Sequence, residues 1–170
     1  MNFKHFVREV PDFPEKGVVF KDITPLLEDP GAFQAAADAL FGFTEGLHID
    51  KVVGIESRGF FFAPLLASRL GAGFIPARKP GKLPREIRKQ EYDLEYGTDA
   101  LELHAESISE GDRVLVHDDV LATGGTARAM CDLIEQLGGE VVQCNFLIEL
   151  GFLKGREKLD GYPLKSLIIY

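Results

Sequence analysis

Arg113-Val114-Leu115-Val116-His117-Asp118-Asp119-Val120-Leu121-Ala122-Thr123-Gly124-Gly125-Thr126-Ala127 decides how this chain is read. The apolar run at its start predicts a buried strand that delivers two adjacent carboxylates to its C-terminal end. A turn of small residues then opens a helix, and the ends of such strands are where open α/β sheets bind ligands. Gly124 and Gly125 let a backbone come close to its ligand. The first helical N–H groups are unpaired donors of partial positive charge, and Thr123 and Thr126 add hydroxyls. That chemistry suits a phosphate. Asp118 and Asp119 accept hydrogen bonds, so their natural partners are sugar hydroxyls or a hydrated divalent cation. Together the two features describe a ribose 5-phosphate site. The bland alternative is a turn and helix cap worth about 0.5–2 kcal/mol. The full string is too restrictive for that reading. It also lacks the Gly-Lys-Ser/Thr of a P-loop and the Gly-x-Gly-x-x-Gly of a dinucleotide fold.

Outward from this stretch, strands alternate with helices. Lys51–Ile55 and Gly73–Ala77 read as strands, and Ala63, Leu66, Ala67 and Leu70 repeat between them at helical spacing. A helix from Gly125 to about Leu137 is stopped by Gly138-Gly139, and Val141–Ile148 is a further strand. Asp29-Pro30 starts an earlier helix carrying Phe33, Ala36, Ala37, Leu40 and Phe41 and ending near Gly46. The alternation predicts parallel βαβ units. Lys79 to about His104 breaks it and reads as a mobile loop leading into a hairpin, a lid rather than a plain connector. With 170 residues, no repeat and no composition shift, one domain is expected.

A net charge of −8 argues against nucleic acid as a partner. No apolar run is long enough to span a bilayer, and the start lacks a signal-peptide core, so a cytoplasmic location is expected. Cys131 and Cys144 read as small core residues. An acidic chain that binds phosphates needs a local basic patch, and Arg78, Lys79, Lys82, Arg85, Arg88 and Lys89 supply it. Arg78, Lys79 and Lys82 follow a strand end and are placed to meet a pyrophosphate; Arg85, Arg88 and Lys89 read as a solvated face. Arg58 also follows a strand end, and its fork of donors suits a phosphate.

Val116–Thr126 resembles the phosphoribosyl diphosphate signature of type I phosphoribosyltransferases. Four further segments, Pro11–Leu27, Gly54–Phe60, Arg78–Pro84 and Glu95–Asp99, resemble the adenine-using members of that family, in the same order along the chain. The resemblance implies a parallel five-stranded sheet flanked by helices, with a flexible lid near 79–104 and a small hood from about 1–30 and 150–170. It implies transfer of the phosphoribosyl group of 5-phosphoribosyl 1-diphosphate to adenine, giving AMP and pyrophosphate. Another purine acceptor, or a non-catalytic regulator that keeps the pocket, is the alternative. Arg58, Arg78, Lys79, Lys82 and Tyr96 would serve the diphosphate and lid, Asp118 and Asp119 the ribose, and Ala122, Thr123, Gly124, Gly125, Thr126 and Ala127 the 5-phosphate. Phe20 would stack on adenine, with the backbone of Val19 and Lys21 reading its edge. Glu95 would be catalytic. Magnesium would arrive on the diphosphate, touching Asp118 and Asp119 at most through water, and the chain would form a homodimer. Two positions depart from the family: His117 replaces an aliphatic strand residue, and Lys21 stands where arginine is common.

Overall fold

The computed structural model describes residues 1–93 and 97–170. The chain groups into two compact units, Met1–Ala39 and Leu40–Tyr170. In the first, β1 (Arg8–Pro11) and β2 (Val19–Asp22) form an antiparallel ribbon that pairs Val10 with Phe20 and Glu9 with Lys21. Asp22 Oδ1 accepts from the Thr24 N–H at 2.9 Å and so opens α1 (Thr24–Glu28). Asp29 Oδ1 likewise accepts from the Ala32 N–H at 2.7 Å, which starts α2 (Pro30–Gly42) where the sequence places it. The helix ends at Gly42, short of the expected Gly46, because the Thr44 hydroxyl and N–H both bond back to the Phe41 carbonyl.

The second unit is built on β3 (Lys51–Ile55), β4 (Gly73–Ala77), β7 (Arg113–Leu121), β8 (Glu140–Glu149) and β9 (Leu164–Ile169), with α3 (Ala63–Leu70), α4 (Gly125–Gln136) and the single-turn α5 (Gly155–Lys158). The sheet is parallel throughout, in the order β4-β3-β7-β8-β9. Val53, Ile55, Val116, Cys144 and Phe146 share one buried cluster with Met130, Leu133 and Ile134 of α4. Burial of such a side chain is worth about 1.5–3 kcal/mol, and this is what holds α4 on the sheet. Cys131 and Cys144 are both buried and free, as the sequence suggests.

The chain leaves β3 toward β4 on one side and leaves β7 toward β8 on the other, so the direction of winding reverses between β3 and β7. A crevice at their C-terminal ends follows from that reversal. β7 runs farther than its apolar core, and Asp118 pairs with Phe146 and Leu121 with Glu149 of β8, beyond the end of β3. The fifth strand is β9. Leu164–Ile169 therefore lies in the sheet, where the sequence reading gives residues 150–170 to a hood. The expected hairpin is β5 (Ile87–Asp93) with β6 (Thr98–His104). It packs against α4, buries Leu101 and Leu103, and is joined to the end of β4 by paired backbone bonds between Arg78 and Glu102.

Candidate functional site

Asp118 and Asp119 sit where β7 outruns β3, in the crevice that the topology creates. Asp119 is 4% exposed. Burial raises the Asp118 carboxyl well above the usual carboxylate range, and the neighbouring Asp119 charge raises it further. Burial also lifts Asp119, against the pull of Arg58, whose Nε stands 2.9 Å from Asp119 Oδ2. Two like charges held this close call for hydroxyl donors or a cation between them and the solvent.

The turn behind them follows the sequence reading. Gly124 adopts φ +83°, which puts it in the left-handed region that favours glycine. α4 then begins at Gly125, its first N–H groups aimed out of the helix. Asp118, Val120, Leu121, Ala122, Thr123, Gly124, Thr126 and Ala127 line a cavity of about 70 Å³. A water needs roughly 10–15 Å³ of such space, so the cavity has room for a group of several heavy atoms. Among the described residues Asp118 is the one charged side chain in its lining, and Lys158 stands beside the neighbouring Gly125. A larger cavity, of about 480 Å³, lies beside the end of β8. There Glu149 is occupied by Arg156 at 2.6 Å and by the Ser166 hydroxyl at 2.6 Å, and no phosphate-binding turn borders it.

The basic patch is brought together as expected, and every member is already engaged. Glu56, directly after β3, accepts from Arg78 Nε at 2.9 Å, from the Lys79 backbone N–H at 2.8 Å and from the Lys82 ammonium. Burial alone would raise the Glu56 carboxyl, but these donors outweigh it and hold it at about 2. Lys79 Nζ donates to the Tyr92 hydroxyl at 2.7 Å and to Asp99. Burial works against its charge, yet these partners raise its pKa above the ordinary value. Arg58, expected toward the diphosphate, pairs with Asp119. The distal residues behave as a solvated face: Arg85 pairs with Glu106, Arg88 with Glu86 and Lys89 with Glu91.

In the first unit, Phe20 is half-buried and meets Phe13 edge to face at 5.1 Å. Val19 is exposed, and the Lys21 ammonium is tied to Glu9 across the ribbon. Glu95 and Tyr96 lie outside the described residues.

His117 is fully buried, and its Nδ1 lies 2.6 Å from Oδ1 of Asn145, its cross-strand partner. Burial pushes its pKa down to about 4, so the ring is neutral at pH 7 and donates that hydrogen bond from Nδ1. The polar pair thus replaces the aliphatic contact expected at this strand position.

Sequence reasoning gave no role to Glu56, Asp99 or Tyr92, which hold the cations, nor to Gly155, which backs the phosphate turn. Glu56 ends an apolar strand run next to Arg58, and that position was the available signal. For Gly155, between Lys154 and Arg156, there was none.

The chain matches the phosphoribosyl transferase domain family over residues 23–166. It is 62% identical over 170 residues to the adenine phosphoribosyltransferase of Christiangramia forsetii, covering 100% of this chain and 99% of that one. The crystal structure of adenine phosphoribosyltransferase from Thermoanaerobacter pseudethanolicus superposes with a TM-score of 0.97 at 54% identity, covering 99% and 98% of the two chains. The Saccharomyces cerevisiae enzyme, complexed with an imino-altritol bisphosphate and adenine, gives a TM-score of 0.91 at 44% identity, covering 97% and 96%.

Proposed function

Because the chain belongs to the phosphoribosyl transferase domain family, we propose how its own residues divide the work of the transfer it carries out. It moves the phosphoribosyl group of 5-phosphoribosyl 1-diphosphate to adenine, giving AMP and pyrophosphate, a step of purine salvage. The observation that carries the site assignment is the acid pair of β7, Asp119 buried and Asp118 half-buried, running into the glycine-rich turn and small cavity at the start of α4.

N9 of adenine bonds to C1 of the ribose as the bond from C1 to the diphosphate breaks. Positive charge grows on the ring and negative charge on the leaving group, so the main task is electrostatic placement. Asp118 and Asp119 accept from the ribose hydroxyls, while Ala122 to Ala127 hold the 5-phosphate through N–H groups and the Thr123 and Thr126 hydroxyls. Arg58, Arg78, Lys79 and Lys82 exchange their internal carboxylates for the diphosphate. Phe20 stacks on the base, and the backbone of Val19 and Lys21 reads its edge. Closure of the lid, bringing Tyr96 and Glu95 over the site, excludes water. Glu95 bonds the purine near N7 and takes up the proton that the base must lose.

The residues fit magnesium carried on the diphosphate. The acid pair suits a hydrated cation, and among the described residues no cluster of three or more His, Cys, Asp or Glu forms a protein cage. Held through water by Asp118 and Asp119, the metal would neutralise charge on the departing diphosphate. The chain acts as a homodimer, which sedimentation reads directly.

Crystals soaked with AMP test the assignment: its phosphate is expected at residues 122–127 and its diol on Asp118 and Asp119. A nucleotide seated elsewhere overturns it. Glu95→Gln separately tests the catalytic role, with turnover expected to fall roughly 10²–10⁴-fold. A normal rate removes Glu95 while leaving the pocket standing.

A further inference from the structure

We propose that Gly155, the first residue of α5, is a positioning residue for the phosphate-binding turn; this inference rests on the assignment of the 5-phosphate to residues 122–127. The two segments meet backbone to backbone. A Cβ on Gly155 would overlap the Ala122 carbonyl oxygen and lie 2.9 Å from the Gly124 nitrogen, well inside the ~3.5–4 Å of ordinary contact. From the other side, a Cβ on Gly124 would overlap the Gly155 carbonyl oxygen and lie 3.1 Å from its Cα. Gly155 is buried, while Arg156, Glu157 and Lys158 after it are exposed.

Backbone conformation does not call for glycine at 155. The residue is helical, and its φ is not among the chain's positive values. Alanine there would gain helix propensity, so the close approach to the turn is the reason for glycine. The atoms Gly155 abuts include the Gly124 N–H, one of the donors assigned to the phosphate. Moving them turns that amide away from its ligand, and a hydrogen bond weakens steeply with misalignment. A displacement near 1 Å at a binding constellation costs about a hundredfold. Gly155 touches no ligand itself; it sets the angle of a turn whose donors are mainly backbone amides, with Lys158 the cation beside Gly125.

Three binding partners of the purified full chain separate this role from general destabilisation. For Gly155→Ala, ribose 5-phosphate should bind at least tenfold more weakly, and KM for phosphoribosyl diphosphate should rise by a similar factor. kcat at saturation should fall less than threefold, and pyrophosphate, held by other loops, should bind within twofold of the original. Gly161→Ala is the comparison. It places a side chain at φ +92° in open space, so it should lower stability and leave all four quantities alone. Unchanged ribose 5-phosphate binding in Gly155→Ala overturns the inference, as does equal weakening of all ligands. Should Gly155→Ala not fold, amide exchange of the original protein reads the same coupling. Saturating ribose 5-phosphate should slow exchange at Gly155 along with Gly124, and an unchanged Gly155 overturns the role. If ribose 5-phosphate fails to bind the original protein at all, the site assignment itself falls and this inference with it.

Discussion

The proposed site offers its two phosphate groups opposite kinds of partner. At the start of α4 the turn offers backbone N–H groups and threonine hydroxyls around a cavity of about 70 Å³, with no cation among the described residues of its lining and with Lys158 beside Gly125. At the ends of β3 and β4 the donors are Arg58, Arg78, Lys79 and Lys82, each already paired with Asp119, Glu56 or Asp99. The first region is set before its ligand arrives and has nothing to displace. The second must exchange one anion for another, so its affinity is the difference between two large interactions. A phosphate that stays bound through the reaction suits the fixed region; a diphosphate that must leave suits the exchanging one.

Gly124→Ala breaks the fixed region most directly, because the new side chain strains a left-handed φ of +83° and collides with Gly155. Ribose 5-phosphate affinity should fall about a hundredfold with pyrophosphate affinity nearly intact, measured by calorimetry on the folded variant. Equal losses for both ligands would erase the distinction between the regions.

Arg78→Ala probes the exchanging region. It removes a diphosphate donor and also leaves the half-buried Glu56 with one partner fewer. Pyrophosphate binding should weaken roughly tenfold, the scale of a charge-assisted hydrogen bond of ~1.5–3 kcal/mol after that release is counted. Ribose 5-phosphate should be indifferent.

Asp118→Asn asks which carboxylate carries a cost. In the folded chain, burial and then the Asp119 charge raise the Asp118 pKa above its unfolded value, so ionising it costs stability. That cost is absent below the unfolded carboxylate range, grows as pH climbs toward the raised folded value, and is complete above it. Asn at this position should therefore stabilise the free protein at pH 8 by about 1–2 kcal/mol in urea unfolding, with the gain vanishing below about pH 4. Ribose 5-phosphate binding should weaken at the same time. Glu56 runs the other way: held at about 2, it contributes stability that is fully present above the unfolded carboxylate range and is lost progressively as pH falls from that range through about 2.

The same contrast explains what the sequence could reveal. Strands β3 and β4 and the start of α4 fall where the apolar runs and glycines place them; β3, an inner strand, reads as an unbroken hydrophobic stretch because it is buried on both faces. β9 was not legible as a strand, since as an edge strand it carries Lys165 and Ser166 and buries only Ile168 fully. The fixed region was legible because its parts are contiguous, from Asp118 to Ala127. The exchanging region was half legible. Its cations form a visible cluster, but Glu56 and Asp99 join them from 22 and 20 positions away, and only the folded chain shows which acid faces which base. Lys21 shows a further limit: the ribbon it lies on and the Glu9 that engages its side chain across that ribbon appear only in the folded chain.

Salt gives the mildest and most general test. Raising ionic strength from 0.1 to 1 M shortens the screening length from about 10 to about 3 Å, which weakens interactions between partly exposed charges far more than hydrogen bonds from fixed amides. In the exchanging region screening acts on both sides: it loosens the Lys82 pair with Glu56, which is 46% exposed on the lysine side, and it weakens attraction for the incoming diphosphate. The diphosphate concentrates on one ligand the charge that Glu56, Asp99 and Asp119 spread over three side chains, so the loss exceeds the relief. The fixed region draws on only about half an elementary charge at the helix start. Pyrophosphate affinity should therefore drop about fivefold over this range, and ribose 5-phosphate affinity less than twofold, both by titration calorimetry. Parallel salt dependences would mean that the turn at α4 draws on a side-chain cation, such as the neighbouring Lys158, as much as on its fixed amides.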